Sequence, residues 1–350
     1  MLVYRYLRNV IFKIDPEVDH HIVEFCLKHF APLPLINDFL ANQFCYFDES
    51  LSQEVLGMKF YNPVGLAAGF DKNATMIEGL ALMGFGFIEA GSTTLHPQPG
   101  NPKPRIFRFV AEESIQNAMG FNNDGAIAIA ERLKKIYPFQ IPIAVNLGKN
   151  KTADDALKNY EENLKVFKDL GDFYVFNVSS PNTPNLRDLQ NESFVKELFS
   201  MARTHTSKPL FLKVCPDNLI DNTLKVCESA ISGGADGIVA TNTTMDYSLL
   251  RSPKNIGGIS GRALRNKSRE AFYEIAKAFF GKATLVAVGG IFDGEEAYSR
   301  IKMGASLVEI YSAMIFEGPS VCKKINQEIA NLLRQDGYNH ISEAIGADIK

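Results

Sequence analysis

Eight short apolar runs separated by longer amphipathic segments, with a Gly-containing joint ahead of four of them, predict an α/β chain. The expected architecture is a (β/α)8 TIM barrel with a small helical N-terminal extension. The runs are Val64–Ala67, Phe87–Ala90, Ile143–Leu147, Tyr174–Val178, Leu210–Val214, Gly237–Ala240, Leu285–Val288 and Leu307–Ile310. All are near-continuously apolar, as strands buried on both faces are. The joints are Met83-Gly84-Phe85-Gly86, Leu170-Gly171-Asp172, Gly233-Gly234-Ala235-Asp236 and Met303-Gly304-Ala305. Each reads as a helix ending at Gly and then a strand. Element order alone leaves a doubly wound open sheet as the alternative.

The extension occupies residues 1–45, and the barrel is expected over 46–350. Val3, Leu7, Val10, Ile11 and Ile14 share one helical face, with Arg5, Arg8 and Asn9 off it. Asp15-Pro16-Glu17 opens a second helix, with Asp as N-cap and Pro at the first helical position. Its stripe is Val18, Ile22, Phe25, Cys26, His29 and Phe30, and Pro32 and Pro34 end it. A third short stretch carries Leu35, Ile36, Phe39, Leu40 and Phe44.

Composition bounds the function. The 350 residues are 46% apolar and 22% charged, which excludes a disordered chain and permits a sizeable core. With 37 basic and 40 acidic residues the net charge is -3, so no global field draws the protein to nucleic acid. The five Cys, at 26, 45, 215, 227 and 322, form no Cys-x-x-Cys pair. A disulfide framework or zinc cluster is not expected, and a reducing cytosol suits the chain. Arg5, Arg8 and Lys13 break the N-terminal apolar stretch, which does not read as a signal peptide. No apolar run approaches the ~18 residues of a membrane span, so the protein is not expected to cross a membrane, and a position on a membrane surface stays open.

Barrel chemistry belongs just past the strands. Those positions hold Ala68-Gly69-Phe70-Asp71-Lys72, Gly91-Ser92, Asn146, Asn177 to Asn182, Lys213, Thr241-Asn242-Thr243, Gly289-Gly290 and Tyr311-Ser312. Amides, hydroxyls, glycines and two lysines dominate; carboxylates are almost absent, and all six His lie elsewhere. Metal hydrolysis needs clustered His and carboxylates, and glycoside hydrolysis needs two facing carboxyls. The set suits a large, planar, anionic ligand instead, and FMN fits: glycines admit its phosphate and a lysine stabilises an anionic ring.

The segments that carry these residues resemble the dihydroorotate dehydrogenases. Matching stretches are Asn62 to Lys72, Gln98 to Arg105, Asn117 to Asn122, Asn177 to Pro184, Asn242 to Thr244, Gly257 to Gly261 and Val288 to Ile291. Ser180, where soluble class 1 enzymes carry Cys, and the helical extension resemble the quinone-reducing, membrane-associated class 2 branch.

The resemblance implies oxidation of (S)-dihydroorotate to orotate in pyrimidine (UMP) biosynthesis, with FMN as cofactor and a membrane quinone as acceptor. It also implies a peripheral position on the cytoplasmic face of a bacterial-type cell membrane. FMN would contact Ala68, Gly69, Lys72, Ser92, Asn146, Asn177, Lys213, Thr241, Gly261, Gly290, Tyr311 and Ser312. Dihydroorotate would be held by Lys72, Asn117, Met119, Gly120, Phe121, Asn177, Asn182, Asn242 and Thr243. Ser180 would take a proton from C5 while hydride passes to flavin N5, and Arg108 and Tyr311 would flank the quinone path. The three helices would form a hood with an apolar interior for the quinone, its outer apolar surface and Arg5, Arg8 and Lys13 resting at anionic headgroups.

The chain departs from the family pattern at Ala118 (commonly Arg), Asn185 (Gly), Ser92 (Thr) and Phe70 (Leu). Asn tolerates the left-handed conformation, so the turn at 185 is expected to survive. Two other readings remain at this level: a Schiff-base aldolase using Lys213, and a non-catalytic scaffold.

Overall fold

In the computed structural model, which describes residues 2–349, eight parallel strands close into a barrel in sequence order. They are β1 (Val64–Leu66), β2 (Phe87–Thr93), β3 (Ile143–Leu147), β4 (Phe173–Asn177), β5 (Leu210–Val214), β6 (Gly237–Ala240), β7 (Thr284–Val288) and β8 (Leu307–Ile310). The β8–β1 pairing, Val308 opposite Val64, closes the ring, so the open-sheet alternative is excluded. Strand residues are buried almost throughout, because helices cover the outside and side chains fill the inside.

Phenylalanines fill the barrel's lower interior. Phe87, Phe173 and Phe211 stack in tilted contacts with ring centroids 6.1 and 5.2 Å apart. Glycine makes room for them: a Cβ on Gly65 would sit 2.3 Å from the Phe87 ring. A short antiparallel hairpin, Gln53–Val55 and Met58–Phe60, adds Phe60 edge-on to Phe87 at 5.6 Å. That hairpin was not anticipated. Nor was a three-stranded side sheet of Ile106–Phe109, Ser114–Asn117 and Gly258–Gly261.

Three of the four joints carry a left-handed glycine: Gly84, Gly234 and Gly304, at φ +85°, +111° and +109°. Gly171 does not. It is needed for space, since a Cβ there would lie 2.9 Å from Val145 Cγ2.

The N-terminal helices are α1 (Leu2–Ile11), α2 (Pro16–His29) and α3 (Pro34–Phe44). Asp15 caps α2, accepting from the Glu17 and Val18 amides, with Pro16 in the first turn. Most of their apolar stripes point away from the barrel, with Ile11, Leu40 and Phe44 turned inward. Leu7, Val10, Ile14, Val18, Ile22, Phe25, Phe30, Leu35 and Phe39 are exposed. The inward face is mixed: buried Glu17 bonds Arg105, Arg108 pairs with Asp19 at 2.5 Å, and Leu27 packs on Gly79. Arg8 is corrected accordingly. It turns inward to the Phe316 carbonyl at 2.8 Å and is not placed at headgroups. The side chains of Val3 and Arg5 lie outside the described residues, and Lys13 is exposed. Among the described residues no helix is long and apolar enough to cross a membrane.

Candidate active site

One cavity of about 600 Å³ runs from the C-terminal ends of the barrel strands to the underside of α1–α3. The strand ends meet there, so side chains far apart in the chain converge on one site. Of the anticipated residues, Ala68, Gly69, Lys72, Ser92, Asn177, Lys213, Thr241, Gly261, Gly290, Tyr311 and Ser312 line it. So do Asn117, Met119, Gly120, Phe121, Ser180, Asn182, Asn242, Thr243 and Arg108. Asn146 does not reach the wall. It is fully buried behind Ser92, which donates to its Oδ1, and it gives its own Nδ2 to Glu89 at 2.7 Å.

The polar end is a hydrogen-bonded net. Asn242 Nδ2 donates to Asn177 Oδ1 at 3.2 Å and to Ser179 Oγ at 2.9 Å. Asn182 Nδ2 donates to Asn117 Oδ1 at 3.1 Å. Ser180 is 6% exposed, and the Asn182 amide donates to its Oγ at 3.3 Å. Arg187 clamps this loop through the Ser179 and Thr243 carbonyls and an ion pair to Asp217 at 2.7 Å.

Lys72 faces the cavity with no ion-pair partner among the described residues, and burial lowers its ammonium to about 8. The preceding Asp71 is buried and accepts the Thr75 and Met76 amides at 2.9 and 2.8 Å, which fixes the loop. Lys213 is different. It meets Glu89 Oε2 at 2.6 Å and Glu309 Oε2 at 3.3 Å. Those carboxylates raise its pKa against the opposing pull of burial.

Charged groups from outside the strand ends join them. Glu89 and Glu309 sit inside strands, short of their ends, and point into the barrel. His20 lines the cavity from α2, with Nε2 2.7 Å from the Phe70 carbonyl, and burial pulls its pKa down to about 4.

The other end has more apolar side chains, interrupted by Glu17, His20 and Glu24 of α2. Ile11, Val23, Leu27, Leu40, Phe44 and Met83 line it, and Arg108 lies at its edge with its guanidinium 4.6 Å from the Phe12 ring centre. Tyr311 stands between the two ends, edge-on to Phe70 at 5.8 Å.

Two features of the polar end fit a phosphorylated flavin. A Cβ on Gly290 would fall 2.3 Å from Arg265 Cα, so only glycine lets the chain fold this tightly, and the bare backbone it leaves is of the kind that admits a phosphate. Thr241 Oγ1 and Asn182 Oδ1 are buried without a partner, leaving hydrogen-bonding capacity for a ligand.

The family model for dihydroorotate dehydrogenase matches residues 50–333. The chain is 51% identical over 349 residues to the dihydroorotate dehydrogenase (quinone) of Nitratiruptor sp., covering 99% of each chain. It is 52% identical to that of Helicobacter acinonychis, covering 100% of both. Among solved structures, the ferulenol complex of the Eimeria tenella dihydroorotate dehydrogenase superposes with a TM-score of 0.87 at 36% identity, over 95% of this chain and 96% of that one. The chain therefore belongs to the dihydroorotate dehydrogenases, in their quinone-dependent class 2, and is an oxidoreductase.

Proposed function

We propose that the protein oxidises (S)-dihydroorotate to orotate in pyrimidine (UMP) biosynthesis, with FMN resident in the polar end of the cavity and a membrane quinone as acceptor. The observation that carries this is one continuous cavity, polar at the strand ends and richer in apolar side chains under α1–α3. When bound, FMN would supply the two-electron redox chemistry that links dihydroorotate to the quinone. Asn117, Asn177, Asn182 and Asn242 match the amide edges of dihydroorotate, and Lys72 matches an anionic group. Ser180 Oγ takes the C5 proton as its own hydroxyl proton passes to solvent through a water or threonine relay. Serine is a weak base, and two features assist it: the Asn182 amide aimed at Oγ, and the enclosure of the site, in which Thr183 Oγ1 is buried without a partner.

The residues assigned to FMN are Ala68, Gly69, Lys72, Ser92, Asn146, Asn177, Lys213, Thr241, Gly261, Gly290, Tyr311 and Ser312. Asn146 acts through Ser92 and Asn177. The quinone runs past Arg108, Tyr311 and the apolar side chains of α1–α3. The exposed apolar face of those helices rests on the membrane, so that residues 1–45 act as a peripheral anchor and tunnel. The aldolase reading is disfavoured by the ion pairs of Lys213, since imine formation needs a neutral amine.

The test is anaerobic. Dihydroorotate should bleach the visible flavin bands of the purified protein, and a long-tailed quinone should restore them. A colourless protein, or a flavin that dihydroorotate does not reduce, rejects the reading.

A further inference from the structure

Glu89, Lys213 and Glu309 form a buried cluster of two carboxyls and one ammonium on β2, β5 and β8. The two carboxyls are not equivalent. Glu89 accepts three donors: Lys213 Nζ at 2.6 Å, the Ala68 amide at 2.9 Å and Asn146 Nδ2 at 2.7 Å. Glu309 meets Lys213 at the longer 3.3 Å, and it is the carboxyl that lines the cavity. If both carboxyls were ionised, the cluster would carry a net negative charge in a place nearly without water. One proton on Glu309 makes it neutral.

We propose that Glu309 is a positioning residue for the redox step, setting the potential of the bound flavin through its own protonation and its hold on Lys213. The proposal rests on the FMN reading above. Protonated Glu309 leaves the Lys213 charge divided only with Glu89, so the cation is available to a ring that gains negative charge. Ionised Glu309 competes for Lys213 and adds repulsion, so reduction becomes harder unless a proton is taken up. The balance is two electrons and one proton to the ring as hydride from dihydroorotate, plus one proton from solvent to Glu309 when the carboxyl starts ionised.

The charged groups facing Glu309 are Lys213 from β5 and Glu89 from β2. Lys72, on the loop after β1, and Tyr311, two residues beyond Glu309, line the same cavity. Burial and the neighbouring Glu89 raise the Glu309 carboxyl to about 8, against the pull of Lys213.

The experiment compares the two-electron midpoint potential of the bound flavin in wild type and Glu309→Gln between pH 6 and pH 10. Glutamine imitates the protonated acid, so the two proteins should agree at pH 6. Above pH 8 the wild type should fall below the variant, by tenfold in the two-electron equilibrium per pH unit, or about 30 mV. The titration of Lys72 is common to both proteins and cancels in the difference. A difference that is zero or constant over the whole range overturns the proposal.

A second measurement needs no variant. At pH 9, reduction of wild-type holoenzyme carrying 13C-labelled Glu should create a protonated-carboxyl band in the infrared difference spectrum; its absence overturns the proposal equally. A protein that binds no flavin at all fails the FMN reading instead, which separates the two outcomes.

Discussion

The two ends of the cavity are built on opposite principles. At the strand ends, buried amides, hydroxyls and charges are tied to one another through Asn177, Asn242, Asn146 and Glu89. Under α1–α3 apolar side chains such as Val23, Leu27, Leu40 and Phe44 make up much of the wall, and Glu17, His20, Glu24 and the Arg108–Asp19 pair interrupt it. A buried polar net built to hydrogen-bond its ligand rejects an analogue lacking one of those groups by roughly 10⁴–10⁵-fold. An apolar wall discriminates weakly, by about 1–3 kcal/mol per methylene at most. The first end therefore suits one small polar molecule, and the second suits a greasy molecule of variable tail.

The largest effect should come from breaking the polar end at its base. Ser180→Ala should keep the flavin but slow its reduction by dihydroorotate ~10²–10⁴-fold, the usual weight of a positioned base. Stopped-flow bleaching measures it. Reduction at the wild-type rate would remove Ser180 from the chemistry.

The apolar end can be sharpened with one helix, because α2 has a cavity face and an outer face. Val23 lines the cavity and Phe25 is 56% exposed. Val23→Trp should raise the quinone KM about tenfold, roughly 1.4 kcal/mol of lost acceptor binding, and leave flavin reduction by dihydroorotate near wild type. Phe25→Ser should leave both half-reactions intact and weaken binding to anionic vesicles about tenfold, part of the roughly 1.5–3 kcal/mol that full burial of a Phe contributes. If Phe25→Ser changes quinone KM with a detergent-solubilised short-chain acceptor, the faces are not separate in function.

What the sequence revealed follows the same division. The eight strands were legible because burial on both faces leaves near-continuous apolar runs. The strand-end residues that line the cavity were legible because barrel topology says where to look. Glu89 and Glu309 escaped because each lies inside an otherwise apolar strand, where no periodicity separates an inward charge from a core position. His20 escaped because its route to the cavity is tertiary, through the docking of α2. The side sheet escaped because its strands have four residues each and pair Ser114–Asn117 with Gly258–Gly261 across a long stretch of chain. The helices of the extension were found, but their stripes gave no direction: an apolar face can meet a core or a bilayer, and here most of it points outward.

The smallest expected effect tests how rigidly the polar end holds its catalytic loop. Asn185 lies five residues after Ser180, exposed, at φ +56°. Its side chain packs against little, so substitutions there report the backbone conformation rather than lost contacts. A β-branched residue is disfavoured in this region by clash of its Cβ with the following carbonyl, which costs roughly 1–2 kcal/mol. Asn185→Val should therefore lower stability by about that amount. Asn185→Gly should stay within about 0.5 kcal/mol of wild type: glycine adopts the conformation without strain but gives back part of the gain through a freer unfolded chain. Urea unfolding midpoints with an unchanged slope measure both. The Arg187 bonds to the Ser179 and Thr243 carbonyls hold the loop from its far side, so the turn should keep its shape in both variants. Flavin reduction should then track wild type in Asn185→Gly. A loss of reduction in that variant, at unchanged stability, would show that the Asn185 side chain and not the turn positions Ser180.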